Sequence, residues 1–252
     1  MNVLPQKATL PALALLLFGA PALAQADLTL SPARLEFALP PGGSAEERVV
    51  LRNGLAREEA LQARLVPFAL DAKGSVVEVE APGLCPHLEG VPTALVLPPG
   101  GSAEVRVRVQ APKATGTLAC LVVFSATPRP LERGGLRLSV RPELGLAVYL
   151  TLKGTEAPAL RAKVGGAEEA LPLLLENPGN VLQRVSGEAR VFTLGGKEVA
   201  RLPVEEVPVF PGGYRELALK PDPALPKGRY RVVLLLESAY GRYAAEGTWD
   251  VP

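Results

Sequence analysis

The chain has 252 residues, 48% of them hydrophobic, with 27 Lys and Arg against 26 Asp and Glu. That apolar share excludes a disordered chain, and near-neutrality without a basic run argues against nucleic acid or an anionic membrane as partner. A single His in the whole chain leaves little for acid–base catalysis, while 25 Gly and 26 Pro favour short strands joined by turns over long helices.

Residues 1–24, MNVLPQKATLPALALLLFGAPALA, read as a secretory leader. Lys7 supplies the positive end, 8–21 the apolar stretch, and Ala22-Leu23-Ala24 the small-x-small cleavage site. The apolar part falls short of the ~20 residues a spanning helix needs, and Pro11, Gly19 and Pro21 interrupt it. An exported mature chain without a membrane span is expected, in the periplasm or associated with the cell envelope.

Strands are expected in the first half near 27–38, 45–53, 60–70, 74–80, 93–97, 102–110, 117–126 and 136–152. A helix at 54–65, GLAREEALQARL, is the one competing assignment, because Leu55, Leu61 and Leu65 do not settle the period. In the second half strands are expected near 159–165, 170–177, 181–193, 197–210, 214–220, 228–237 and 242–251. Leu194-Gly195-Gly196-Lys197 and Tyr240-Gly241 read as hairpin turns.

Internal repetition organises these strands. The octapeptide LPPGGSAE occurs at 39–46 and again at 97–104, each time as a turn leading into an alternating segment. Over a longer range, 99–124 resembles 211–236, with Gly100 and Gly116 spaced like Gly212 and Gly228. VVLRN ending at Asn53 likewise resembles LLLEN ending at Asn177. Two domains of one grammar follow, 25–155 and 156–252, the first carrying extra residues around Cys85. Short alternating strands in domains of this size imply an all-β fold, two tandem immunoglobulin-like β-sandwiches. Tyr230 falls two residues before the position equivalent to Cys120, where such sandwiches place a corner tyrosine; an ordinary core tyrosine is the alternative.

Export makes a disulfide between Cys85 and Cys120 the default, tying the inserted segment to the sandwich. The alternative, a metal held by Cys85, His87 and Cys120, lacks the fourth ligand a structural zinc takes. No catalytic site, cofactor or metal is expected. His87 has no nucleophile motif beside it, and the Gly-Gly pairs are not followed by Lys-Ser/Thr. The acidic pairs Glu46-Glu47, Glu58-Glu59, Glu168-Glu169 and Glu205-Glu206 read as surface, since neighbours on a strand point to opposite faces.

The segments 31–53, 91–109, 176–187 and 225–241, with the long alternating stretch after Gly135, resemble the periplasmic pilus-assembly chaperone family. The resemblance implies a non-enzymatic protein whose partner is a pilin-like subunit or another envelope protein, bound by β-strand addition. In that family the last strand of the first domain offers alternating apolar side chains to the subunit. Here Leu136, Leu138 and Val140 are the implied donors, with 144–152 packing at home and Pro142 between. The family also clamps the subunit's terminal carboxylate with an Arg and a Lys. Arg34 matches the Arg, but 144–152, LGLAVYLTL, holds no basic residue and Lys153 lies beyond it. The alternative role is a structural or adhesive envelope module built from the same domains.

Overall fold

The computed structural model describes residues 28–133 and 136–252; the leader expected at 1–24 lies outside them. In chain order the first half forms β1 (Leu28–Ser31), β2 (Arg34–Leu39), β3 (Ser44–Asn53), β4 (Glu59–Val66), β5 (Phe68–Leu70), β6 (Val76–Glu78), β7 (Leu88–Glu89) and β8 (Ala94–Leu97). It continues with β9 (Ser102–Gln110), β10 (Gly116–Ala126), β11 (Arg129–Arg133), β12 (Leu136–Val140) and β13 (Glu143–Leu152). The second half forms β14 (Arg161–Val164), β15 (Leu171–Glu176), β16 (Gln183–Thr193), β17 (Glu198–Val209), β18 (Tyr214–Leu219), β19 (Gly228–Ser238) and β20 (Gly241–Val251).

Alternation in the sequence becomes alternation in burial. In the first half the sheets β1-β3-β9-β7 and β2-β13-β10-β4-β8 enclose one core. Val49 and Leu51 of β3 and Val105, Val107 and Val109 of β9 meet Cys120, Val122 and Phe124 of β10 and Leu146, Val148 and Leu150 of β13. In the second half the sheets β14-β15-β18 and β17-β16-β19-β20 enclose another, built on Leu171, Leu173, Leu175, Val191, Val232, Leu234 and Trp249. Each is a β-sandwich, and among the described residues the fold is all-β as the strand pattern predicts, save for one turn of 3-10 helix at Cys85–His87.

The repeated Pro-Gly-Gly segments form the same reversal three times. Gly43 N–H donates to Pro40 O at 2.9 Å, Gly101 to Pro98 at 3.0 Å and Gly213 to Phe210 at 3.0 Å. The third residue in each turn, Gly42, Gly100 or Gly212, has φ between 64° and 82°, a value that favours glycine. The aligned asparagines prove to be the pins of the second and third of these turns. Buried Asn53 donates from Nδ2 to Arg57 O (2.7 Å) and Leu97 O (3.1 Å) and accepts from Leu55 N (3.0 Å). Buried Asn177 repeats the pattern on Val181 O and Val209 O (both 2.8 Å) and Gly179 N (3.1 Å). Tyr230 donates its hydroxyl proton to Pro226 O at 2.7 Å, the bond of a tyrosine corner, so it is more than core filling.

Cys85 and Cys120 are joined, with an S–S distance of 2.11 Å. The bridge holds the inserted segment against the first core, where Leu84 and Leu88 are buried, and β7 pairs with β9. Three expected elements differ from the sequence reading. The strand expected near 60–70 forms, and the competing helix does not, but it divides at Pro67 into β4 and β5, with Leu61 and Val66 of β4 buried against β10. The stretch 27–38 divides at Pro32, where the chain crosses from one sheet to the other. The single strand expected over 136–152 is two, β12 and β13, divided at Arg141-Pro142; proline brings no N–H to a ladder.

Candidate partner-binding edge and interdomain cleft

β13 sits between β10 and β2. Its pairing with β10 is antiparallel and covers Glu143 to Leu152. Its pairing with β2 is parallel and covers only Ala147 to Leu152, from Ala147 opposite Arg34 to Leu152 opposite Leu39. The last bond on that side runs from Ala147 N to Ala33 O at 3.0 Å. Upstream, among the described residues, Glu143–Leu146 have no strand on that edge, and β12 is paired only with β11. An open edge therefore lies beyond the first residue of β2, Arg34, and continues along β12.

The even-numbered residues divide in two along this line. Leu146, Val148, Leu150 and Leu152 are fully buried in the first core, whereas Leu138 and Val140 expose 44% and 39% of their surface. Leu136 lies on β12 opposite Arg133, and its side chain is outside the described residues. The base of the hairpin is held to the sandwich by Ala126 N donating to Pro142 O at 2.9 Å and by Ser125 Oγ donating to Glu143 Oε1 at 2.7 Å.

Arg34 stands at the inner end of the open edge, its side chain half exposed, and it is not alone. Its Nε lies 3.1 Å from Glu36 Oε1 and its Nη1 3.7 Å from Glu206 Oε1. Arg184, from β16 of the second sandwich, converges on the same two carboxylates. Its Nε donates to Glu36 Oε1 at 2.7 Å, and its Nη1 lies 3.7 Å from Glu206 Oε1. The buried Nη2 is 2.6 Å from Glu36 Oε1 but without the alignment of a hydrogen bond. The guanidinium also covers the Tyr149 ring, 5.3 Å from its centroid. Burial pushes the Tyr149 hydroxyl above its usual value, and Arg184 partly offsets that rise. Arg184 lies within the 176–187 segment without a role assigned to it there, and only the approach of the two sandwiches brings it beside Arg34.

A bulge delivers Glu206. Val185 pairs with Val207 and Gly187 with Val204, so Glu205 and Glu206 together face the single residue Ser186. Both are consequently exposed, where regular pleating would send one to each face. Three further contacts fix the cleft. Phe68, Tyr149 and Phe210 stack edge to face or tilted, at centroid distances of 5.4–6.0 Å. Leu182 N donates to Thr117 Oγ1 at 3.0 Å. Arg215, buried, donates to Ala72 O (3.3 Å) and Lys73 O (3.1 Å) in the turn between β5 and β6. Asp71 closes that turn by accepting from Ser75 N (2.8 Å) and Lys73 N (2.9 Å). The Ser75 bond is the largest influence holding the Asp71 carboxyl below its usual range; those from Lys73 and Gly74 and the Arg215 charge add to it.

No protein-family model matches this chain, and no curated protein matches it. Solved structures do. The class 5 fimbriae chaperone CfaA matches with a TM-score of 0.51 at 15% identity, over 90% of this chain and 100% of that one. A chain from a chaperone–tip adhesin complex of CFA/I fimbriae biogenesis matches with a TM-score of 0.52 at 15% identity, over 88% and 98%. The chain thus has the fold of the fimbrial chaperones along almost its whole described length.

Proposed function

We propose that this is an exported, non-enzymatic protein that binds a pilin-like subunit by β-strand addition along β12 and the first residues of β13. The carrying observation is the place where parallel pairing stops: β2 covers β13 from Ala147 onward and leaves the edge before it open. A partner strand extending the line of β2 forms main-chain hydrogen bonds to that edge, while Leu138 and Val140 enter its unfilled core. Running parallel to β13, such a strand ends at Arg34. Its terminal carboxylate then meets a guanidinium, the pairing that gives strong, directional hydrogen bonds. The likeness in fold to a chaperone solved with a tip adhesin supports this class of partner. The leader-like N-terminus and the Cys85–Cys120 bridge support export into an oxidising compartment.

The test is the double change Leu138→Glu/Val140→Glu, with affinity capture of the tagged mature protein from its native envelope and mass spectrometry of the intact complex. The reading expects a one-to-one complex with a small β-rich subunit, lost in the variant. Both positions are exposed, so thermal stability should stay within about 0.5 kcal/mol of the parent. Recovery of the protein alone, or with wall fragments, would transfer the assignment to a structural or adhesive envelope module.

A further inference from the structure

Two guanidinium groups and two carboxylates alternate at the inner end of the open edge, one of each from each sandwich. Their contacts are unequal. Glu36 accepts the 2.7 Å hydrogen bond from Arg184 and lies 3.1 Å from Arg34. Glu206 reaches both arginines only at 3.7 Å, beyond hydrogen-bond distance, with 54% of its side chain exposed. It is held by charge alone, on a bulge that lifts it out of the pleat of β17. Arg184 is tightly placed by contrast: its side chain is only 18% exposed and packed over Tyr149. The ring is neutral as it stands. A further carboxylate arriving at Arg34 makes it net negative unless one resident acid leaves, and the loosest is Glu206.

We infer that Glu206 is a built-in occupant of this cationic site. It balances Arg34 and Arg184 while the edge is empty and gives way to the terminal carboxylate of a bound strand. The inference rests on the strand-addition reading. It makes Arg184 the second cation at the site, supplied from the other sandwich rather than from β13. It also makes the contact between the sandwiches depend on occupancy, since Glu206 no longer bridges to Arg34 once displaced. The competition acts on affinity: a resident acid held by exposed pairing lowers the apparent affinity for an incoming one by a few-fold.

The probes are two N-acetylated, dye-labelled peptides of nine alternating Val and Thr residues, one ending in a free carboxylate and one in an amide. Binding is followed by fluorescence anisotropy on the full mature protein, unchanged and as Glu206→Gln. Glu206 is exposed, so its substitution leaves the fold intact. The inference expects the free acid to bind the variant roughly two- to fivefold more tightly than the parent, with no gain for the amide. Equal gains for both peptides, or no gain for the acid while the parent still prefers it to the amide, would overturn the role of Glu206 and leave strand addition standing. Binding of neither peptide by either protein, or binding unaffected by Leu138→Glu/Val140→Glu, would remove the inference together with the reading beneath it.

Discussion

Asn177 and Asn53 allow the duplicated architecture to be tested by a single atom group. Asn177→Ala removes two donations, to Val181 O and Val209 O, and one acceptance, from Gly179 N. The site is buried, so water cannot readily replace the amide. At a net 0.5–1.5 kcal/mol per hydrogen bond, the loss is about 3 kcal/mol. That is a large part of the 5–15 kcal/mol typical of a domain. If the second sandwich melts as its own unit, its midpoint should fall by roughly 12–24 °C, at 4–8 °C per kcal/mol for a domain of this size. Asn53→Ala should do the same to the first sandwich, because its amide binds the equivalent carbonyls around the equivalent turn. Differential scanning calorimetry of both variants is the assay. Asn177→Leu separates the two causes, since it restores volume without restoring any hydrogen bond. A loss below about 0.5 kcal/mol in Asn177→Ala, or full rescue by leucine, would refute the assignment of these residues as pins of the Pro-Gly-Gly turns.

Two further outcomes follow from the first sandwich. Cys85 and Cys120 are 35 residues apart, and opening a loop of that length should cost about 4 kcal/mol. Cys85→Ser/Cys120→Ser should therefore melt much lower than the parent, and reductant should lower the parent but not the variant. Asp71 is held below its ordinary value in the folded chain, so the stability it contributes is present above about pH 4 and is lost as pH falls through its lowered folded value. The Lys73 and Ser75 amides should open to hydrogen exchange only at acid pH, and Asp71→Asn should remove that dependence. Opening of those amides between pH 5 and 7 would contradict the role given to the carboxylate.

Much of the fold was legible because its signals are local. Period-two alternation marked β9 and β13, and the Pro-Gly-Gly repeats marked turns whose glycines do take positive φ. Tyr230 was readable from its offset to the position of Cys120, and its bond to Pro226 O gives that offset a cause. What alternation cannot express is which strand lies beside which. The crossing at Pro32, and with it the point where β2 stops covering β13, depends on pairing across more than a hundred residues. Arg184 was unreadable for the same reason: it lies 148 residues from Glu36 and meets it only across the cleft. The reading of the acidic pairs as surface holds for Glu205-Glu206, though the reasoning from opposite faces fails at the bulge, where both side chains face outward. It is wrong for Glu59, which is buried at the start of β4 beside Arg57 and Arg129. The open end of the edge was visible only as an overlong apolar alternation. Pro142 explains why that stretch is a buried strand, β13, preceded by a separate strand, β12, with Leu138 and Val140 exposed, rather than one continuous element.

The claim that β12 and the start of β13 form a strand-accepting edge is tested most directly by hydrogen–deuterium exchange on the protein alone and in its one-to-one complex. The account predicts new amide protection confined to 136–146 and to Arg34 at the inner end of the edge, with no change along the edge strands β8 and β17. Protection at β8 or β17 instead, or a complex that leaves 136–146 exchanging as before, would contradict it.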